Sequence, residues 1–225
     1  MMLPFFLPRA VIVASAVVVA AVGAVSRLAA AGTVIVTVKD NKGAPVSDAA
    51  VYLTPLDQPP VVTAPPEPLV VSQQGQEFEP YVTIVVVGSS VSFPNRDNIR
   101  HQVYSLSKAK PFEIPLSGPG TSQAIRFDQP GIVAIGCNIH DHMSAYVVVV
   151  STPHFLKTAT DGLARFGDLA PGRYRLDVWH PRLAGETRRD LVIAANDAAT
   201  QTISVTLKPD KRIRRAPDGS GGGYK

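Results

Sequence analysis

Short runs of β-branched residues, each cut off by Gly, Pro, Asn or Asp, set the tightest limit on what this chain can fold into. Residues 33–39 read TVIVTVK and run into the turn Asp40-Asn41-Lys42-Gly43. Strand-like segments follow at 49–54, 81–87, 90–93, 101–106, 122–127, 131–136 and 144–151, and again at 164–166, 173–179, 191–194 and 202–207. Within 173–179 the side chains of Tyr174, Leu176 and Val178 fall on one face, the period-two signature of a strand. With 17 glycines and 20 prolines in 225 residues, breakers are too frequent for a helical bundle, and the expectation is an all-β fold built of β-sandwiches. The proline-rich, aperiodic stretch 55–68 reads as a connector.

The N-terminus reads as an export signal. Arg9 precedes an apolar run over 10–25, and Ala29-Ala30-Ala31 offers an Ala-x-Ala site before Gly32. That run is shorter than the roughly 20 residues a spanning helix needs, so a cleaved signal over 1–31 is favoured over an anchor. No later segment has the length of a membrane span, and 81–87 and 145–150 read as buried strands. The formal charge is +4, but two of the positive charges, Arg9 and Arg27, belong to the export segment. The folded part is therefore close to balanced, which argues against nucleic-acid binding.

Export makes the single cysteine informative. Oxidising compartments use cysteines in pairs, so Cys137 is a free thiol, an intermolecular bridge or a metal ligand. Its neighbours favour the last. The segment Cys137-Asn138-Ile139-His140-Asp141-His142-Met143 holds the only cysteine, two of five histidines and the only methionine beyond the first two residues. Two soft sulfur donors and an imidazole at a strand end form a copper-like ligand set, and His2Cys with a weak axial Met is the blue-copper arrangement. Zinc is the competitor, but structural zinc sites usually use several cysteines and no thioether. The second imidazole must come from elsewhere. His101, which opens the strand at 101–106 after a turn-rich stretch, is the best placed. His142 is the alternative to His140.

The segment 81–151 resembles the cupredoxins, particularly the plastocyanin/amicyanin group. The resemblance lies in Phe93-Pro94-Asn95-Arg96-Asp97 with His101-Gln102-Val103, in Phe127-Asp128-Gln129-Pro130-Gly131, and in the short Cys137-x-x-His140-x-x-Met143 spacing. It implies a Greek-key β-sandwich with one type 1 copper per chain, held by His101, Cys137, His140 and Met143. It departs from the family at Gln102, where an Asn usually bonds to the ligand loop, and at Asp141 and His142, where amicyanin has Pro and Phe.

Two other fragments resemble the halves of a carboxypeptidase-regulatory-like or transthyretin-like (prealbumin-like) β-sandwich. The first spans 36–53, with Asp40, Gly43, Pro45-Val46, Ala49 and Val51. The second carries Thr160-Asp161-Gly162, Phe166, Leu169, Pro171-Gly172, Tyr174 and Val178. Each is too short to bury a core alone, so they are expected to join, with the copper unit inserted between them. The expected organisation is a signal peptide at 1–31, the first part of the small sandwich at 32–57, and a linker at 58–67. The cupredoxin domain follows at 68–151, then the second part of the small sandwich at 152–207 and a disordered basic tail at 208–225.

The functional expectation is an exported, periplasmic electron carrier rather than an enzyme, because four protein ligands leave no open position for a substrate. A c-type cytochrome or a periplasmic dehydrogenase is the redox partner implied by resemblance to amicyanin. The alternatives are a copper-binding or trafficking protein, or an interaction module of carbohydrate-binding type with incidental metal. In the small sandwich, His154, Trp179 and His180 are the notable residues, and they read as packing or loop positions.

Overall fold

The computed structural model describes residues 31–185 and 187–210. Residues 1–30 of the expected signal peptide (1–31) and residues 211–225 of the expected disordered tail (208–225) lie outside the described residues. Among the described residues there are seventeen strands and no helix long and apolar enough to cross a membrane.

The first two strands, β1 (Gly32–Asp40) and β2 (Ala50–Pro55), find no partners among their immediate successors in the chain. The chain instead passes through 56–68 into ten strands that form their own sheets. These are β3 (Leu69–Val70), β4 (Ser72–Gln74), β5 (Glu77–Glu79), β6 (Val82–Val86), β7 (Ser90–Ser92), β8 (His101–Ser105), β9 (Phe112–Ser117), β10 (Ala124–Arg126), β11 (Gly131–Gly136) and β12 (Ser144–Val150). It then returns to β1 and β2 with β13 (His154–Lys157), β14 (Leu163–Leu169), β15 (Gly172–Trp179), β16 (Thr187–Ile193) and β17 (Ala198–Val205).

One sandwich therefore closes from sequence-distant pieces. β1 lies between β14, antiparallel, and β17, parallel, while the facing sheet runs β13-β2-β15-β16. Alternation along β1 sends Val34, Val36 and Val38 inward against Val51, Leu53, Phe166, Leu176 and Ile203. Gly162 closes the β1–β14 end with φ +72°, and a Cβ there would collide with the Val38 carbonyl that runs beside it.

In the other unit a five-stranded sheet, β6-β12-β11-β8-β9, faces the three-stranded sheet β10-β7-β3, with the hairpin β4–β5 at the side. Their shared core holds Phe93, Phe127, Val133, Ile135 and Val147, and it reaches Cys137 and Met143. Every residue of β6 is buried, because that strand is covered on both faces. Val85 points into its own sandwich. Val82, Ile84 and Val86, with Val148 and Val150 of β12, meet Ala50, Tyr52, Phe155 and Trp179 on the outer face of the β13-β2-β15-β16 sheet. Four sheets are thus stacked, with three apolar layers between them.

Several short strands escape the β-branched pattern. The hairpin β4–β5 is polar (SQQ and EFE), β9 contains Pro115, and β16 starts at Thr187 because its polar half pairs with β15 from Val178 onward.

Candidate metal centre

The ligand loop is anchored by two adjacent strands. β11 ends at Gly136 and β12 begins at Ser144, so residues 137–143 form their connection, tightened by a hydrogen bond from the Met143 N–H to the His140 carbonyl (2.9 Å). β8 is the other neighbour of β11, with Gly136 opposite Tyr104. The Tyr104 ring lies against Gly136 where a Cβ would sit, 3.1 Å away, so a side chain there would need the ring to shift by a few tenths of an ångström. His101 at the start of β8 and Cys137 just past the end of β11 arrive at the same pole of the sandwich.

There three of the four expected ligands, His101, Cys137 and His140, come together. His101 Nδ1 lies 3.2 Å from His140 Nδ1, and Cys137 Sγ lies 3.8 Å from the same nitrogen. These three donor atoms all fall within 4.8 Å of one another. Donors about 2.0 Å (nitrogen) and 2.3 Å (sulfur) from one ion, spread by about 110–120°, would be separated by roughly 3.3–3.7 Å. The two separations from His140 match a single ion, and the third pair, within 4.8 Å, would close by up to about 1 Å around it. His101 is fully buried, Cys137 and Met143 nearly so, and His140 is half-buried. Met143, 2% exposed, belongs to the same buried apolar cluster as Cys137.

The orientation of His101 has a visible cause. Its Nε2 meets Asp97 Oδ2 at 2.8 Å, so Nδ1 is left facing His140 and Cys137. Burial opposes ionisation of Asp97, but hydrogen bonds from the Gln76 amide, the His101 imidazole and the Gly75 amide outweigh it and hold the carboxyl below its ordinary range. Asn95, itself buried, organises the turn between β7 and β8. Its Nδ2 donates to the Ile99 carbonyl (2.9 Å), and its Oδ1 accepts the Asp97 N–H (3.0 Å).

Motif spacing does not single out Asp97 as a site residue. The available signal is a carboxylate four residues ahead of a buried histidine. Gln102 does not reach the ligand loop, since its Nε2 donates to Glu113 on β9 (2.6 Å). His142 stands outside the donor group. Its ring meets that of His140 edge-on with centroids 5.9 Å apart, and its Nε2 is buried without a hydrogen-bond partner. In the smaller sandwich, His154 lies edge-on to Tyr174 and the Trp179 ring packs on Tyr146 at 5.3 Å, so that indole is an interface residue and not a free stacking platform. His180 Nδ1 accepts the Arg182 N–H, an ordinary loop contact.

No protein-family model matches the sequence, and no curated protein matches it. Among solved structures, the chain is similar to a copper-containing nitrite reductase from Thermus scotoductus SA-01, at 30% identity over 42% of this chain with a TM-score of 0.37. It spans only 25% of the length of that enzyme. It is also similar to a purple cupredoxin from Nitrosopumilus maritimus (19% identity, 36% of this chain, 99% of that one, TM-score 0.33). A third similar structure is an amicyanin variant in its Cu(I) form (19% identity, 44% of this chain, 98% of that one, TM-score 0.36). Likeness at this level adds no weight to the ligand assignment, which rests on the donor distances.

Proposed function

We propose that this protein is an exported type 1 copper protein that carries single electrons and is not itself an enzyme. The observation that supports it best is the convergence of His101 Nδ1, Cys137 Sγ and His140 Nδ1 within 4.8 Å of one another. Copper, when bound, would supply a one-electron Cu(II)/Cu(I) couple.

The chain's own residues do the rest. Cys137 as thiolate, His101 and His140 through imidazole nitrogen, and Met143 as a weak thioether donor would hold the metal, and the thioether would tune its potential. The two flanking strands and the hydrogen-bonded turn of the loop hold these side chains in one geometry, which keeps reorganisation small when charge changes. Core packing around Cys137 and Met143 keeps water away from the sulfurs.

On this reading the chain works in the periplasm, with a redox protein such as a c-type cytochrome or a periplasmic dehydrogenase as partner. Residues 32–57 and 152–207 form a transthyretin-like sandwich into which the copper unit is inserted. The strand pairing of β1 with β14 and β17 supports that arrangement.

The test is the visible spectrum of the oxidised, copper-loaded protein. An intense thiolate-to-copper band that disappears in Cys137→Ser is expected. A colourless wild-type protein overturns the reading. A protein that binds copper but cannot be cycled between oxidation states without losing it would instead be a copper-trafficking protein.

A further inference from the structure

The hairpin β4–β5 and the ligand His101 meet at one carboxylate. Asp97 Oδ1 accepts the Gly75 N–H at 2.6 Å, and Oδ2 accepts both the Gln76 N–H (2.9 Å) and the imidazole at His101 Nε2 (2.8 Å). Gly75 and Gln76 form the two-residue turn of the hairpin, and both are left-handed, with φ of +64° and +59°. Paired left-handed residues match the twist of a hairpin, although for Gln76 the conformation is unfavourable. The turn presents both amides to the same anion, a cradle of the kind backbone nests make. The carboxylate therefore steadies the turn, and the turn fixes the carboxylate, whose side chain is only 13% exposed.

That fixed anion dictates what His101 can do. A neutral imidazole carries one proton, and a carboxylate can only accept. The proton must sit on Nε2, leaving the Nδ1 lone pair turned toward His140 and Cys137. His101 is fully buried, so no water competes for either nitrogen. A hydrogen-bonded carboxylate also adds negative charge to the ring, which stabilises a doubly charged ion more than a singly charged one.

We infer that Asp97 is a positioning residue for the metal site: it holds His101 in the Nε2–H tautomer and, through that bond, biases bound copper toward Cu(II). The hairpin turn at Gly75-Gln76 is the part of the fold that keeps it in place. The second half of this inference rests on the copper reading above; the first half does not.

The experiment uses the full-length protein, metal-free and copper-loaded, with three variants. Asp97→Asn retains an acceptor for the imidazole but no charge, Asp97→Ala retains neither, and Gly75→Ala strains the turn while leaving the carboxylate. In the metal-free protein, 15N NMR of His101 should show a single Nε2–H tautomer in the wild type and in Asp97→Asn, and a mixture in Asp97→Ala. In the copper-loaded protein, Asp97→Asn should shift the Cu(II)/Cu(I) balance at least tenfold toward Cu(I), about 59 mV for a one-electron couple. Gly75→Ala should lower stability and shift the balance less than twofold. A wild-type His101 protonated on Nδ1 overturns the inference whatever the colour of the protein. A shift below twofold in Asp97→Asn overturns the charge effect. If the wild type takes up no copper, the carrier reading and the charge effect fail, and the NMR result still decides the tautomer.

Discussion

The Nδ1 atoms of His101 and His140 lie 3.2 Å apart although 39 positions separate the two residues in sequence. With their rings inclined at 61°, the nitrogens face each other in a space that one proton or one cation can fill, with the Cys137 sulfur alongside. His101 comes from the start of a buried strand and His140 from a loop, so the two halves of the site differ in how much the fold depends on them.

That difference predicts unequal outcomes for two substitutions. His140→Ala removes a half-buried loop ring and should abolish the thiolate-to-copper band with little change in the stability of the metal-free protein. His101→Ala should abolish the band as well. It also leaves Asp97 without its imidazole partner inside the fold, which costs about 1–3 kcal/mol. Chemical denaturation of the metal-free variants checks this. Equal midpoints would show that the Asp97–His101 contact contributes nothing to the folded state.

Metal removal should be visible as a loss of stability. A ligand bound only by the folded protein stabilises it by about 4 kcal/mol at a thousandfold excess over its dissociation constant, which for a chain of this size corresponds to roughly 10 °C in melting temperature. Calorimetry with copper and then with a chelator should show that difference in the wild type and none in Cys137→Ala. A variant that keeps the increment would mean the metal binds elsewhere.

Met143 separates packing from ligation. Its side chain is 2% exposed, in the cluster that also contains Cys137. Met143→Ala should cost about 2–5 kcal/mol through the cavity it opens. Met143→Leu keeps the volume and should cost less than about 1.5 kcal/mol. Both should alter the copper spectrum and raise the potential if the thioether is a ligand. A Leu variant with an unchanged spectrum would make Met143 a core residue only.

How much of the fold and the site is legible in the sequence depends on where each signal resides. Cys137, His140 and Met143 stand close together in the chain, so their chemistry can be read without knowing the fold. His101 is legible because a strand begins there. Asp97 is not, since its role depends on the hairpin of β4 and β5, whose polar residues carry no apolar period. The unbroken β-branched run of β6 announces a strand, but not that Tyr52, Phe155 and Trp179 cover its outer face. Pairing of β1 with β14 and β17 spans more than a hundred residues, and periodicity says nothing about pairing at that distance.

Thr158 ties those distant pieces together. It is buried, and its hydroxyl accepts the Ala49 N–H (2.9 Å) and donates to the Val46 carbonyl (2.7 Å). Thr158→Val keeps the shape and leaves a buried amide without an acceptor, at a cost of about 1–3 kcal/mol. The urea midpoint should fall with an unchanged slope, and the copper spectrum should not move. A midpoint equal to the wild type would mean that the Ala49 amide finds another acceptor.

His154 should make the smaller sandwich sensitive to mild acid. It pairs with Leu53 at the edge of its sheet, its ring edge-on to Tyr174 with centroids 6.1 Å apart, and burial lowers its proton affinity below the ordinary value of 6.5. Between the lowered folded value and 6.5 the unfolded chain binds more protons than the folded one, so stability rises with pH across that window and falls as pH drops through it. His154→Phe retains an aromatic ring against Tyr174 and removes the titrating group. Urea midpoints measured from about pH 7.5 down to about pH 5 should decline in the wild type and decline less in the variant. Parallel curves would assign the acid sensitivity to other groups and leave His154 as packing alone.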